Sequence, residues 1–419
     1  MGHIVTLFPK KVWGLFGDIK MNKLNNLIAK REKLIKERNS LMVSLGKENF
    51  ETRIQWVKDN INYLEDFQDQ AEEPLLYYKA VKALRDAQAG KPIGHAVALD
   101  SASSGLSLMS AVMRCKSGAS LTGLIDPDTR TDAYTLITEK LNAKLDSELV
   151  IPREDSKRAL MTLLYGSSRV PIEVFDTNVD LFYETVEEEC NGAYTLLQIL
   201  LDSWDKKALH HSWYLPDGHY AHCLVMQTKE KRINLSEWEY TPVAIVKENT
   251  TLKFGLSNPA NAVHSIDAYV LRTMVRRCNY KPKLIKQARQ ALIDSIDEYN
   301  PNNVLNKRYE YTKMADITHL DIITNTANEL RQELKDKLIY IFDMVLSHEP
   351  FDVICIHDSW ATHVNHCNQL RFHYKEILAE LSESTVIDDI LSQLFGYRDT
   401  VDKGDSIAEY IRNSNYGLS

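Results

Sequence analysis

The sequence predicts an α+β fold that is mostly helical, on three observations. Long segments carry apolar residues at helical spacing between charged ones. Two short apolar runs each end in an aspartate, Asp100 and Asp358. β-Branched and aromatic residues gather between Tyr220 and Phe254. The 419 residues suffice for two or three sub-domains and a large core. With 44% hydrophobic and 26% charged residues, the composition is that of an ordinary globular chain. There is no uninterrupted apolar run of membrane-spanning length, and the start does not read as a signal peptide. The six cysteines are scattered without a CxxC pair, which points to a reducing cytoplasm and away from a disulfide framework or zinc ribbon. The net charge of −8 weighs mildly against nucleic-acid binding but leaves room for a local basic channel, and it suits carboxylates that hold metal ions.

In chain order, residues 1–18 read as a short strand or loop, and Ile19 to Leu45 as a charged helix or helical hairpin. Leu27, Leu34 and Leu41 form a narrow stripe on it that suits packing on this chain or a partner. Amphipathic helices follow at 51–65 and 74–89, and Gly90 to Pro92 break the pattern. His95 to Asp100 reads as a strand, 101–105 as a turn, and Leu106 to Met113 as a helix. Further helices are expected at 131–145 and 179–203. Pro216-Asp217-Gly218 is a turn signal, and 220–254 reads as a hairpin or extended loop around Pro242. Asn258 to Asn261 leads into a helix holding His264 and Asp267. Residues 276–289 are the most basic segment, and 315–347 are helical. Phe351 to Ile356 reads as a buried strand running into His357-Asp358-Ser359. Helices continue to about 395, then a polar loop, a short helix and the tail.

The chemistry gathers on Arg153 to Gly166. Pro152 ahead of it and Gly166 behind it bound a helix. On that helix Arg153 and Lys157 stand one turn apart, with Tyr165 two turns further on the same half. Two cations and an aromatic along one face suit a triphosphate and the sugar or base behind it; alone, they equally describe an amphipathic helix facing water. The strand-end aspartates add to this. Carboxylates about 4 Å apart repel by several kcal/mol at an effective dielectric near 20. A pair of divalent ions offsets that and can clamp both oxygens of a phosphoryl displacement. Asp100, the cationic helix and Asp358 together describe nucleotidyl transfer.

These residues resemble the single-subunit RNA polymerases of phages and mitochondria. The first family motif, Asp followed after three residues by Ser-Gly, fits Asp100, Ser104 and Gly105. The second fits Arg153, Lys157, Tyr165 and Gly166 without a gap. The third, His-Asp-Ser on a hairpin, fits His357, Asp358 and Ser359. An Asn…His-Ser-x-Asp segment fits Asn261, His264, Ser265 and Asp267. The match runs in order over roughly 50 to 419, and Ile407 to Ser419 looks like the family's C-terminal tail.

The resemblance implies a right-hand polymerase palm and fingers, and it implies roles. Asp100 and Asp358, with the Ser101 carbonyl, would ligate two Mg²⁺. Lys157 would contact the incoming NTP and serve as acid for pyrophosphate, and Arg153 would hold the outer phosphates. Tyr165 and His264 would line the ribose, next to Gly166, and His357 would support the metal hairpin. Implied partners are a DNA template and RNA product. The implied layout is a helical, partner-facing region to about 90, palm at 91–130, and fingers at 131–262. The fingers would include a short specificity-hairpin region at 234–253. Palm resumes at 263–419, with a helical insertion at about 273–340.

Three things depart from the pattern. Only 99 residues precede Asp100, and the family's Asp-x-x-Gly-Arg template-contact motif is missing. The expected N-terminal domain and thumb would then come from a second polypeptide, as in split, two-chain phage RNA polymerases acting in a bacterial host's cytoplasm. The short hairpin region would call for a factor that binds single-stranded DNA or opens the promoter. The long stretch between His264 and His357 holds the basic run, which would contact nucleic acid or a partner unless it is a solvated face. Template-dependent DNA polymerases share the cationic helix but not the first and third motifs. A metal-dependent phosphohydrolase is the other alternative, and no membrane is implied. His363, His366 and Cys367 are expected on a helix surface rather than at a metal. Trp213, Trp238 and Trp360 are expected as core or interface residues, with Trp238 also able to stack on a base.

Overall fold

The computed structural model describes residues 30, 45, 46, 48–145, 150–252, 257–356, 358–398 and 400–419. The leucine stripe at 27–41, the first strand or loop and His357 lie outside these residues. The chain forms two compact units, Met1–His95 and Ala96–Ser419. The first holds α1 (Phe50–Asp59), a 3-10 segment (Leu64–Gln70) and α2 (Pro74–Gln88). The helix expected over 51–65 therefore stops at Asp59. The Asn60 side chain donates to the Trp56 carbonyl and closes it, and the chain turns to bury Leu64 and Phe67 against Trp56 and Val81.

The second unit is mainly helical with three small sheets among the described residues. Strand β1 (Ala96–Asp100) is followed by α3 (Ser104–Met113), α4 (Lys116–Leu121), α5 (Ala133–Lys144), α6 (Arg153–Leu164) and α7 (Arg169–Phe175). Helices α8 (Val179–Glu189) and α9 (Asn191–Asp202) come next. The single helix expected at 179–203 is thus two. Cys190 leaves helical geometry at φ −144°. Gly192 comes so close to Cys115 that a Cβ would sit 2.6 Å from the Cys115 Cβ, which leaves no room for a larger residue. Hairpins β2 (His210–Tyr214) with β3 (Tyr220–Leu224), and β4 (Gln227–Arg232) with β5 (Val243–Glu248), follow. The expected hairpin region at 234–253 therefore covers the tip and second strand of a ladder that begins at Gln227. Trp238, near the tip, is 77% exposed and belongs to no core.

Helix α10 (Ser257–Cys278) carries the basic run into α11 (Pro282–Ile293). Helices α12 (Val304–Thr312), α13 (Leu320–Asn325) and α14 (Gln332–Leu346) complete the insertion. They build a core of their own, from Tyr280 and Ile285 to Phe342 and Val345. Half of the basic run is internal wiring. Arg276 pairs with Asp217, buried Arg277 with Glu380 in a bidentate pair at 2.8 and 2.7 Å, and Arg289 with Asp343. Lys281, Lys283 and Lys286 face solvent.

Strands β6 (Ile354–Ile356) and β7 (Ser359–His363) lead into α15 (Cys367–Glu383), α16 (Val386–Phe395) and α17 (Ala408–Asn413). Strand order in the main sheet is β1-β7-β6, all antiparallel. The run expected as a buried strand is half wrong. Only 354–356 is strand, and Ile354 and Ile356 are 58% and 67% exposed. Period-two alternation puts Cys355 inward and the isoleucines on the open face with Ala98 and Asp100. The other face packs on the main core, where Trp360 and Leu99 meet α3, α10 and α15. That core runs from Leu106 to Leu418 without a break at residues 130 or 262. His363 ends β7, His366 lies in a 3-10 turn stacked on Phe351, and only Cys367 is helical. Among the described residues no helix is long and apolar enough to cross a membrane, and all six cysteines are free.

Candidate active site

β1 and β7 pair with Asp100 opposite Ser359, and a two-residue connection joins β6 to β7. Asp358, in that connection, is therefore delivered beside Asp100. Partial burial pushes the Asp100 carboxyl up, and the Asp358 charge adds to this. The Ser101 N–H, donating to Oδ1 at 3.1 Å, opposes it. The tail is bound to the same strand end. Ser419 N–H donates to the Asp100 carbonyl at 3.0 Å, and Asp100 N–H returns to Ser419 at 3.3 Å. Tyr416 and Leu418 are buried, while Arg371 and Lys375 donate to tail carbonyls. The expected tail thus lies against the first aspartate.

The cationic helix, α6, begins after Pro152 with Glu154 and Asp155 in its first turn, where acids favour the helix dipole. It ends in a Schellman motif. Gly166, at φ +89°, donates to Leu163 at 2.7 Å, and Ser167 donates to Thr162 at 3.0 Å. This fixes Tyr165 at the helix end with its ring turned to α3. A Cβ on Gly105 would lie 3.0 Å from the Tyr165 hydroxyl, so the glycine of the first motif makes room for the tyrosine of the second. On its other side Tyr165 stacks on the exposed His264 ring, centroids 4.8 Å apart and planes 17° apart. The Tyr165 hydroxyl is pushed up, chiefly by burial and further by Asp267 and Asp358, against the effect of Ser104.

Arg153 and Lys157 share a floor. Their cationic groups stand 5.7 and 5.6 Å from the centroid of buried Tyr134. The Tyr134 hydroxyl lies 3.3 Å from Ser103 Oγ, close enough to Asp358 to feel its charge. Arg153 donates to Asp132 Oδ2 from Nη2 at 2.6 Å and from Nε at 3.0 Å, and to Glu154 at 2.5 Å. The guanidinium is thus held by carboxylates of this chain. Burial opposes the charge on both partners, yet pairing dominates, lowering the Asp132 carboxyl and raising Arg153. Beneath the aspartates lies Tyr374, fully buried, its hydroxyl kept protonated chiefly by burial and then by Asp267.

Asp100, Ser101, Ser104, Gly105, Lys157, Tyr165, His264, Asp267 and Asp358, drawn from four separated segments, therefore converge. Sequence reasoning missed Asp132, Tyr134 and Tyr374. Asp132 had a signal: an Asp before a helical run is an N-cap, and its Oδ1 accepts from the Tyr134 and Thr135 amides. Tyr374 had none beyond a helical apolar spacing.

The donor set fits magnesium: two adjacent carboxylates, one at the end of β1 and one in the β6–β7 connection, with Asp100 pushed toward protonation chiefly by burial and then by the Asp358 charge. Among the described residues no three His, Cys, Asp or Glu side chains converge on a common point. Magnesium commonly completes its shell with water and substrate phosphate. In comparisons with known proteins, no family model matches the chain and no curated protein does.

Proposed function

We propose that this chain is a catalytic polypeptide of DNA-dependent RNA synthesis, of the single-subunit phage and mitochondrial type, using NTPs and two Mg²⁺. One observation carries the reading. The β1–β7 register brings Asp100 beside Asp358, and the Asp358 charge is felt in turn by aromatic hydroxyls on or next to the cationic helix, Tyr165 and Tyr134. Asp100 and Asp358, with the Ser101 carbonyl, are the groups to hold the ions. When bound, these neutralise the carboxylate pair and stabilise charge on the attacking and departing oxygens.

The chain's own side chains do the rest. Lys157 meets the triphosphate over Tyr134 and gives its Nζ proton to departing pyrophosphate. Arg153, released from or shared with Asp132, holds the outer phosphates. The stacked Tyr165 and His264 face the ribose and read its hydroxyls. Because the sequence has no Asp-x-x-Gly-Arg template-contact motif, the same reading assigns template grip to a second polypeptide.

Primer extension on a single-stranded DNA template tests this, with NTPs, dNTPs and no template as arms. Template-dependent NTP addition that requires Mg²⁺ is expected, rising when co-purifying chains are added. No addition under any condition sinks the reading. Preference for dNTPs replaces it with DNA synthesis, and nucleotide hydrolysis without polymer replaces it with a phosphohydrolase.

A further inference from the structure

The β2–β3 hairpin has one buried and one open face. Trp213 and Ala221 face inward, and the Trp213 indole N–H donates to Ser265 Oγ at 3.0 Å, one residue from His264. The inward side is thus tied to the helix that carries the site. The open side is a row of rings. His210 and His222 have centroids 4.6 Å apart, His222 and Tyr220 5.6 Å, and Tyr220 and Tyr214 4.8 Å. Tyr214 is 53% exposed, an unusual state for a ring in a continuous aromatic run. Gln393 grips the Tyr214 backbone at both its N–H and its carbonyl. The Tyr214 end of the row is therefore held in place while Tyr214 and Tyr220 remain exposed to solvent.

At Tyr214 the row runs into a cavity of about 770 Å³ between β2, α12 and α16. Two more exposed rings line it, Tyr311 and Tyr397. Arg398 stands 5.5 Å above Tyr311, and Tyr397 stacks on Phe395. Lys307, Arg308 and Lys313 add positive charge. Three acids line the cavity as well. Asp388 is paired with Lys403. Asp389 is pushed up to about 6, chiefly by burial, and hydrogen-bonded by Gln393. Asp389, still ionised at neutral pH, and exposed Glu310 are the counter-charges, against four cations, Lys307, Arg308, Lys313 and Arg398.

We propose that this ring row and cavity bind a single-stranded nucleic-acid segment, with bases on Tyr214, Tyr220, Tyr311 and Tyr397 and phosphates against Lys307, Lys313 and Arg398. Open rings beside cations are the combination that holds unpaired bases without reading their sequence. A duplex fits poorly because its bases already stack on one another. The site is separate from the nucleotidyl-transfer reading and does not need it.

The test is fluorescence anisotropy of the full chain with labelled oligo-dT and oligo-U, a duplex of equal length, and no nucleotides or Mg²⁺. Single strands should bind more tightly than duplex, and the ratio of dT to U tells whether DNA or RNA is the natural occupant. Tyr214→Ala with Tyr220→Ala should weaken binding about tenfold or more, and the double Phe variant should restore it, since stacking needs the ring and not the hydroxyl. Circular dichroism melts confirm that the variants fold. Oligonucleotides carrying 5-iodouracil should photo-crosslink to these tyrosines. Equal binding by wild type and the Ala variant, equal affinity for duplex, or crosslinks that avoid these tyrosines would overturn the proposal and leave the face to a protein partner. Because no synthesis is read, this outcome is independent of whether the chain polymerises.

Discussion

Asp132 holds Arg153 from the N-cap of α5, its Oδ2 accepting from both Nη2 and Nε while its Oδ1 caps the helix. One carboxylate therefore fixes both the start of α5 and the outermost cation of α6. Asp132→Asn separates the two tasks, because an amide oxygen still caps but carries no charge for the guanidinium. The expected result is a modest loss of thermal stability, up to about 1 kcal/mol for this partly exposed pair, and a KM for nucleotide about tenfold higher, with kcat nearly unchanged, because the guanidinium is no longer positioned for the outer phosphates; tenfold corresponds to about 1.4 kcal/mol of binding. A fall in kcat at constant KM would show instead that Arg153 acts only as the reaction proceeds.

Asp100 illustrates the conflict between function and stability. Its carboxyl is raised by burial and by Asp358, so the folded state holds its proton more tightly than the unfolded chain does. Stability without metal should therefore fall as pH rises through the ordinary carboxylate range, and this loss persists above it. Asp100→Asn should abolish nucleotide addition and yet melt higher than wild type at pH 7 in chelator. A lower melting temperature there, or appreciable synthesis, would remove the carboxylate pair from its assigned role.

The Gly105–Tyr165 contact makes a sharper test of the ribose side. A methyl group at Gly105 meets the Tyr165 hydroxyl at 3.0 Å, so Gly105→Ala should displace the ring from His264. Overpacking of this kind costs about 1–3 kcal/mol. Tyr165→Phe alone should relax discrimination against dNTPs. The double variant should recover much of the stability lost in Gly105→Ala, because the clashing oxygen is gone. Strictly additive losses in the double variant would show that the two residues do not touch in solution.

Much of the arrangement was legible in the sequence because the signals are local. Pro152 and Gly166 bound α6, and Asp100 ends a strand where the residue pattern places it. What stayed hidden depends on contacts between distant segments. Nothing in 179–203 announces that Gly192 must press on Cys115, and the apolar run at 351–356 has the composition of a buried strand although one side of its sheet is open. The basic run at 276–289 reads as a patch, but Arg276, Arg277 and Arg289 each find an acid from another element. Asp132 and Tyr134 joined the site because α5 packs across α6, a pairing no spacing rule contains.

Asp217 ties the β2–β3 turn to α10 and should govern acid stability. Its side chain is 1% exposed, accepts from Arg272 Nε at 2.6 Å and from Arg276 Nη1 at 3.1 Å. Burial alone would raise this carboxyl; the Arg272 bond, the two arginine charges and the His219 N–H outweigh it and hold it below the usual range. A depressed folded pKa gives stability that is present above the unfolded carboxylate value and is lost as pH falls through the folded one. Asp217→Asn should cost about 3 kcal/mol at pH 7, since two guanidinium groups lose a buried partner. The gap between variant and wild-type melting temperatures should narrow steadily below about pH 4, where the unfolded chain begins to take up a proton that the folded Asp217 still refuses. A gap that stays constant with pH would mean that the loss comes from packing at the turn and that the carboxylate charge contributes nothing.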